Sequence, residues 1–197
     1  MRPRVQEIKK LGDVTLDIFS GGTPSTSRQE YWNGNIPWLS SGETRNPFIL
    51  ETEKTITKLG VENSSTKLAQ KEDVIIASAG QGYTRGQVSL CMIDVYINQS
   101  IIALRANRKL IEPLYIFYDL KSRYNELRKI SDSHSSRGSL TTKLLANLRI
   151  RVLPINEQKK ICELLQVLNA KIILNKNMNH TIEQIAETIF KKWCDHL

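Results

Sequence analysis

Residues 154–193 read PINEQKKICELLQVLNAKIILNKNMNHTIEQIAETIFKKW, and this stretch decides how the chain is organised. After Pro154 neither glycine nor proline occurs again. Asn156 suits an N-cap, and Glu157 and Gln158 suit a first helical turn, where the helix dipole favours negative charge. Apolar residues then recur in steps of four and three: Ile161, Leu165, Leu168, Ile172, Ile182, Ala186, Ile189 and Trp193, with Asn175 and Asn179 at the two remaining positions. Such a heptad stripe predicts a long C-terminal α-helix shaped for coiled-coil packing. Leu164, Met178 and Ile185 widen the stripe on one flank. At ~1.5 Å per residue, forty residues would reach roughly 60 Å, more than a small domain needs for its own core. The stripe is therefore expected to pack on another long helix. Asn175 and Asn179 leave two readings open. They are polar seam residues that set register and partner number, or they mark a turn between two shorter helices, because Asn is a weak helix former.

Working back from Pro154, residues 148–152 alternate Leu148, Ile150 and Val152 with Arg149 and Arg151, as a half-buried strand with a basic outer face does. Residues 131–139 form a polar loop, and Pro113 opens a helix on which Leu114, Phe117, Leu120, Tyr124 and Leu127 recur at helical spacing. The first hundred residues read as short strands and polar loops. Turn-rich segments stand at 20–24, 33–35 and 40–42, and short apolar or alternating runs at 73–77, 88–92, 95–97 and 100–104. The expected fold class is α+β. A mixed, β-rich globular domain over residues 1–154 precedes a helical arm over residues 155–197.

Charge is distributed unevenly between these parts. The chain carries +8 overall, and residues 1–154 hold 22 Lys/Arg against 15 Asp/Glu, so the excess lies in the globular part. A basic globular domain fits a polyanionic partner, and it also fits simple solubility. No apolar run is long enough to span a bilayer, and the first ten residues lack a signal peptide's apolar core. Three widely spaced cysteines (Cys91, Cys162 and Cys194) match a reducing cytoplasm and form no zinc spacing. A cytoplasmic location is the expectation.

The residues offer little for catalysis. No phosphate loop ends in Gly-Lys-Ser/Thr, and Gly80-Gln81-Gly82-Tyr83-Thr84-Arg85 starts like a dinucleotide fingerprint but ends in Arg before a strand. His134, His180 and His196 lack partners at metal-ligand spacing. Asn46-Pro47-Phe48 approaches the base-holding loop of adenine methyltransferases without its second proline, and no cofactor-binding glycine motif precedes it. Glu157-Gln158-Lys159 has a nuclease spacing but opens a helix, where that chemistry needs a strand. No catalytic residue, metal site or cofactor of the chain's own is expected. Polar loops do gather residues suited to nucleic acid, where Arg pairs with guanine edges, Gln and Asn with adenine, and hydroxyls with phosphate. The DNA-contact set is Arg28, Arg45, Gln81, Tyr83, Arg85, His134, Ser136, Arg137 and Ser139.

The order of short motifs is also informative. Lys10-Leu11-Gly12-Asp13-Val14 and Ser20-Gly21-Gly22-Thr23-Pro24-Ser25 are followed by Tyr31-Trp32-Asn33-Gly34 and Ile36-Pro37-Trp38-Leu39. Asn98-Gln99-Ser100, Gly138-Ser139 ahead of Leu144, and Leu153-Pro154 with Glu157-Gln158-Lys159-Lys160-Ile161 continue the series. Ile185-Ala186-Glu187 and Ile189-Phe190-Lys191-Lys192-Trp193 close it. In this order the chain resembles one half of the specificity subunit of type I restriction–modification systems. The resemblance implies a target recognition domain that reads about half of a bipartite double-stranded DNA site. It also implies a helical region that spaces the halves and binds methyltransferase subunits, which use S-adenosylmethionine to methylate adenine. A translocating restriction subunit is a further possible partner. At 140–142 the chain has Leu-Thr-Thr where the family often continues Thr-Gln after Gly-Ser, which leaves that loop's role open.

The family's usual chain has two recognition domains and two helical regions, and this sequence holds the first pair. A natural half-subunit, a truncated product and a fragment are all open. Two copies joined through their helices would form a symmetric dimer and read a palindromic, bipartite site. Two other classes stay in view: a standalone DNA-modifying enzyme, and a coiled-coil scaffold that binds nucleic acid outside restriction–modification.

Overall fold

The computed structural model describes residues 7–80, 82–132 and 138–194, leaving aside the side chains at 173, 176, 177, 180 and 194. It divides into two units, Met1–Gln158 and Lys159–Leu197. The first unit begins with β1 (Glu7–Lys10), a one-turn α1 (Leu11–Val14) and β2 (Thr15–Ser20). There follow β3 (Trp32–Leu39), β4 (Phe48–Ile49), β5 (Lys54–Ile56), α2 (Lys58–Glu62), β6 (Lys67–Ala69) and β7 (Val74–Ala77). Three more strands, β8 (Val88–Cys91), β9 (Val95–Ile97) and β10 (Ile101–Ala106), precede α3 (Pro113–Ser122) and α4 (Tyr124–Asp132). After α5 (Thr142–Asn147) and β11 (Arg149–Val152), α6 (Ile155–Cys194) runs from the first unit into the second.

Three sheets result. A five-stranded sheet has the order β2-β10-β7-β8-β4, a four-stranded sheet the order β5-β3-β9-β6, and β1 pairs with β11 alone. Pairing is antiparallel except for β4–β8 and β3–β9. The inner strands β7 and β10 of the five-stranded sheet are buried on both faces, which is why residues 74–77 and 101–104 are continuous apolar runs. Successive strand side chains point to opposite faces. Val74, Ile76, Ile102 and Leu104 join one core with Phe117, Leu120 and Leu127 of the helices. Ile75, Ile101 and Ala103 join a second core with Leu39, Val95 and Ile97 of the four-stranded sheet. Between β7 and β10, buried Asp73 accepts from Arg105 Nε and Nη2 at 3.1 and 2.7 Å and from the Gln70 amide at 2.9 Å.

The expected strands at 73–77 and 148–152 are present, and β11 exposes Arg149 and Arg151 while burying Ile150 and Val152. Strand β8 departs from the alternation expected of 88–92, since all four of its residues are buried. Ser89 is tolerated there because its hydroxyl donates to the carbonyls of Thr44 and Asn46 at 3.1 and 2.7 Å. The single helix expected after Pro113 is two helices. The chain breaks at Arg123, whose guanidinium spans the break, donating to Glu126 at 2.7 Å, to Asp119 at 3.1 Å and to the Arg149 carbonyl at 2.8 Å. Gly21 has a packing reason, because a Cβ there would collide with the Ile97 backbone. The Gly22 amide donates to the Ile97 carbonyl at 3.0 Å, and Trp38 Nε1 donates to the Gly22 carbonyl at 3.3 Å. The Ser20–Ser25 motif therefore ties the start of the chain to β9 and β3.

Helix α6 is continuous for 40 residues through Asn175 and Asn179, which resolves the turn reading in favour of one helix. It starts at Ile155 rather than after an Asn156 cap. The Pro154 carbonyl accepts the amides of Glu157 and Gln158 at 2.9 and 3.1 Å. The boundary also moves from 154 to 158, because Gln158 belongs to the core of the first unit. It is fully buried, and its amide accepts from Glu112 N at 2.9 Å and donates to the carbonyls of Leu110 and Leu153 at 3.1 and 2.7 Å. Along the rest of α6 the apolar stripe is open: Leu168, Ile172, Met178, Ile182, Ile185 and Trp193 are 48 to 77% exposed.

Candidate nucleic-acid interface

The surface that gathers aromatic and cationic side chains is built around the β7–β8 connection. Its hairpin closes through the amides of Ala77 and Gly86, which bond the carbonyls of Gln87 and Ala77 at 3.0 and 2.8 Å. Gly82 and Gly86 take left-handed backbone angles (φ 62° and 87°), which glycine adopts without the Cβ clash other residues meet. Helix α4 holds the connection from behind. Tyr124 Oη donates to the Tyr83 carbonyl at 2.9 Å, and Arg128 Nη1 donates to the Gly82 carbonyl at 2.8 Å. Tyr83 is thus backbone-anchored while its ring stands 82% exposed.

A second wall comes from a short 3-10 turn at Ser41–Arg45. Buried Glu43 organises it, its Oε1 accepting from the Ser40 amide and hydroxyl, each at 3.0 Å, and its Oε2 from the Glu53 amide at 2.8 Å. Arg45 ends the turn, exposed and paired with Glu53 at 2.7 Å. Helix α3 supplies Lys121, whose ammonium lies 5.1 Å from the Phe117 ring centre and is lowered below the usual lysine pKa by partial burial. Arg45, Tyr83, Gln87, Lys121 and Tyr124 line one open cavity of about 440 Å³. Two cations and two phenol rings on one surface can hold a phosphate and face a base plane, with the Gln87 side chain at the same cavity.

Of the expected contact residues, Arg45 and Tyr83 are brought together here. Arg85 is not presented with them. It is 7% exposed, and its guanidinium donates to the Gly138 carbonyl at 2.9 Å and pairs with Asp132. Its contact reading is corrected to an internal tie, because the carboxylate of Asp132 at the C-terminal end of α4 and the Gly138 carbonyl capture the charge. Arg28 lies outside the cavity lining and pairs with Glu30 at 3.2 Å. Ser139 is half-buried, with its amide donating to the Ser131 carbonyl at 3.2 Å. Gln81, His134, Ser136 and Arg137 lie outside the described residues. Sequence reasoning missed Gln87, Lys121 and Tyr124. Tyr124 reads as part of a helical apolar stripe, and the other two carry no local signal beyond polarity.

Residues of the two enzyme-like motifs have packing partners of their own. Phe48 of Asn46-Pro47-Phe48 packs on Phe117 with ring centres 5.4 Å apart. Gln158 of Glu157-Gln158-Lys159 is the buried amide described above. Among the described residues no cluster of His, Cys, Asp and Glu is placed to hold a metal, and no helix is long and apolar enough to cross a membrane. Of the expected seam residues on α6, Ile161 and Leu165 are half-buried, and Leu168, Ile172, Asn175, Asn179, Ile182, Ile189 and Trp193 are exposed.

The model for the type I restriction modification DNA specificity domain matches residues 3–184. The chain belongs to that family. It is 28% identical to the type I restriction enzyme MjaIX specificity subunit of Methanocaldococcus jannaschii, over 97% of this chain and 44% of the relative. It is 32% identical to the EcoR124I/EcoR124II specificity subunit of Escherichia coli, over 81% of this chain and 40% of the relative. The solved HsdS subunit from Thermoanaerobacter tengcongensis shares the fold, with a TM-score of 0.68 at 21% identity over 90% of this chain and 40% of that one. The chain thus spans about two-fifths of the length of the relatives it matches.

Proposed function

We propose that this chain is a non-catalytic DNA-reading subunit of a type I restriction–modification system. Its first unit reads one half of a bipartite double-stranded site. Its α6 docks methyltransferase subunits and a second copy of the chain. The observation that carries the reading is the convergence of Arg45, Tyr83, Gln87, Lys121 and Tyr124 from separate segments onto one cavity in a domain of this family. The basic balance of residues 1–154 supports it, since a surface facing DNA phosphates needs that sign of charge. The apolar stripe of α6 supports the docking role, because a row of half- to three-quarters-exposed Leu, Ile and Trp is a surface awaiting a partner helix. The chain requires no cofactor for this task. S-adenosylmethionine belongs to the methyltransferase subunits, which supply the chemistry, and a restriction subunit joins the same assembly.

Selection from a randomised duplex library at rising salt tests the function. The full chain with its methyltransferase subunits should enrich a bipartite sequence, and affinity should fall steeply with salt while the sequence preference persists. Equal retention of all sequences at every salt concentration would overturn it. A second copy is expected to associate through α6, giving a symmetric reader of a palindromic site.

A further inference from the structure

Gln87 stands apart from the other residues of the cavity. Its backbone is fixed by the hairpin closure, the amide donating to the Thr84 carbonyl at 3.0 Å and the carbonyl accepting from Ala77 at 3.0 Å. Its side chain lines the cavity of about 440 Å³ with Arg45, Tyr83, Lys121 and Tyr124. The side-chain oxygen is closed off from solvent and has no hydrogen-bond partner among the described residues. Folded proteins rarely leave a buried acceptor unmatched, and those that persist call for an explanation. Rotation of the side-chain torsions would turn this amide into the cavity that it already borders.

Resting on the DNA-reading function above, we propose that Gln87 is a specificity-determining residue that reads adenine in the half-site. The chemistry distinguishes this role from phosphate binding. Phosphate accepts hydrogen bonds and donates none, so it answers the Arg45 and Lys121 cations and leaves the Gln87 oxygen unpaired. Adenine presents an N6 amino donor beside the N7 acceptor, and a carboxamide matches that edge with its own acceptor and donor side by side. The exposed Tyr83 ring, held by Tyr124 through its carbonyl, offers an apolar face beside the same cavity. Labour divides accordingly: cations fix the register on the backbone, and Gln87 discriminates the base.

The test is sequence selection from a randomised duplex library by the full chain with its methyltransferase subunits. The wild type is compared with Gln87→Glu and Gln87→Leu, each checked for an unchanged circular dichroism spectrum. The wild type is expected to select adenine at one position. Both variants should lose that preference by roughly 5- to 150-fold, the range of a bidentate base contact. Gln87→Glu should move toward cytosine, whose amino group donates to a carboxylate. Other positions of the site and the salt slope should stay as they are. Arg45→Gln and Lys121→Gln should instead weaken every sequence and reduce the salt slope by about one each. Folded variants that enrich the same adenine as the wild type overturn the proposal. So do Gln87 variants that weaken all sequences equally, which would make the residue a backbone contact. A wild type without any sequence preference fails at the earlier step and removes the DNA-reading function itself.

Discussion

Gln158 and Arg85 show how single side chains decide what this molecule presents and what it conceals. Gln158 satisfies three main-chain groups, two on the segment before α3 and one, the buried Leu153 carbonyl, ahead of α6. Gln158→Ala should destabilise the first unit by about 1–3 kcal/mol, since the buried Leu153 carbonyl would be left unpaired and bear its desolvation cost. Urea unfolding followed by fluorescence would measure it, and a loss below about 0.5 kcal/mol would show the network to be dispensable. Arg85 ties the β7–β8 connection to Asp132 and Gly138, which lie 47 and 53 residues further along the chain. A loop arginine between Thr84 and Gly86 reads locally as exposed. Its burial became visible only when those distant acceptors were in place. Cys91 is similar: burial, with Asp73 and Asp94 nearby, pushes its thiol up and keeps it protonated. Native protein should leave Cys91 unlabelled by a thiol reagent that modifies it readily in urea, as mass spectrometry would show.

At the scale of elements, periodicity was the dependable guide. The heptad stripe after Pro154 marks α6, and the Arg149/Arg151 alternation marks β11, because each pattern is set by neighbours within a turn or a pleat. The break between α3 and α4 left no such mark, since the apolar spacing from Leu114 to Leu127 continues across it. What sets the break is the Arg123 network with Asp119, Glu126 and the Arg149 carbonyl. For α6 the expected consequence is separable. Leu168→Glu with Ile172→Glu should abolish association with the methyltransferase or a second copy while leaving cooperative unfolding of the first unit unchanged. Co-purification and thermal melts read the two effects independently. If the melt shifts by more than a few degrees, α6 in that region belongs to the domain's own core and the docking role falls.

At the scale of the whole molecule, the proposed symmetric pair predicts a dimer in solution. Sedimentation velocity at micromolar concentration, with and without DNA, should show twice the chain mass of 22.5 kDa, and a persistent monomer would remove the palindromic-site model. The α+β class, the continuous apolar runs of β7 and β10, the basic balance of residues 1–154 and the heptad stripe of α6 were all determined by sequence alone, because each follows from composition or from short-range period. The pairing of β3 with β9 and of β4 with β8 was decided by tertiary structure. So were the burial of Arg85 and Gln158 and the meeting of Arg45, Tyr83, Gln87, Lys121 and Tyr124 around one cavity. The physical reason is common to all of them. A side chain's exposure and partner depend on groups dozens of residues away, and only the packed sheets and helices bring those groups within hydrogen-bond range.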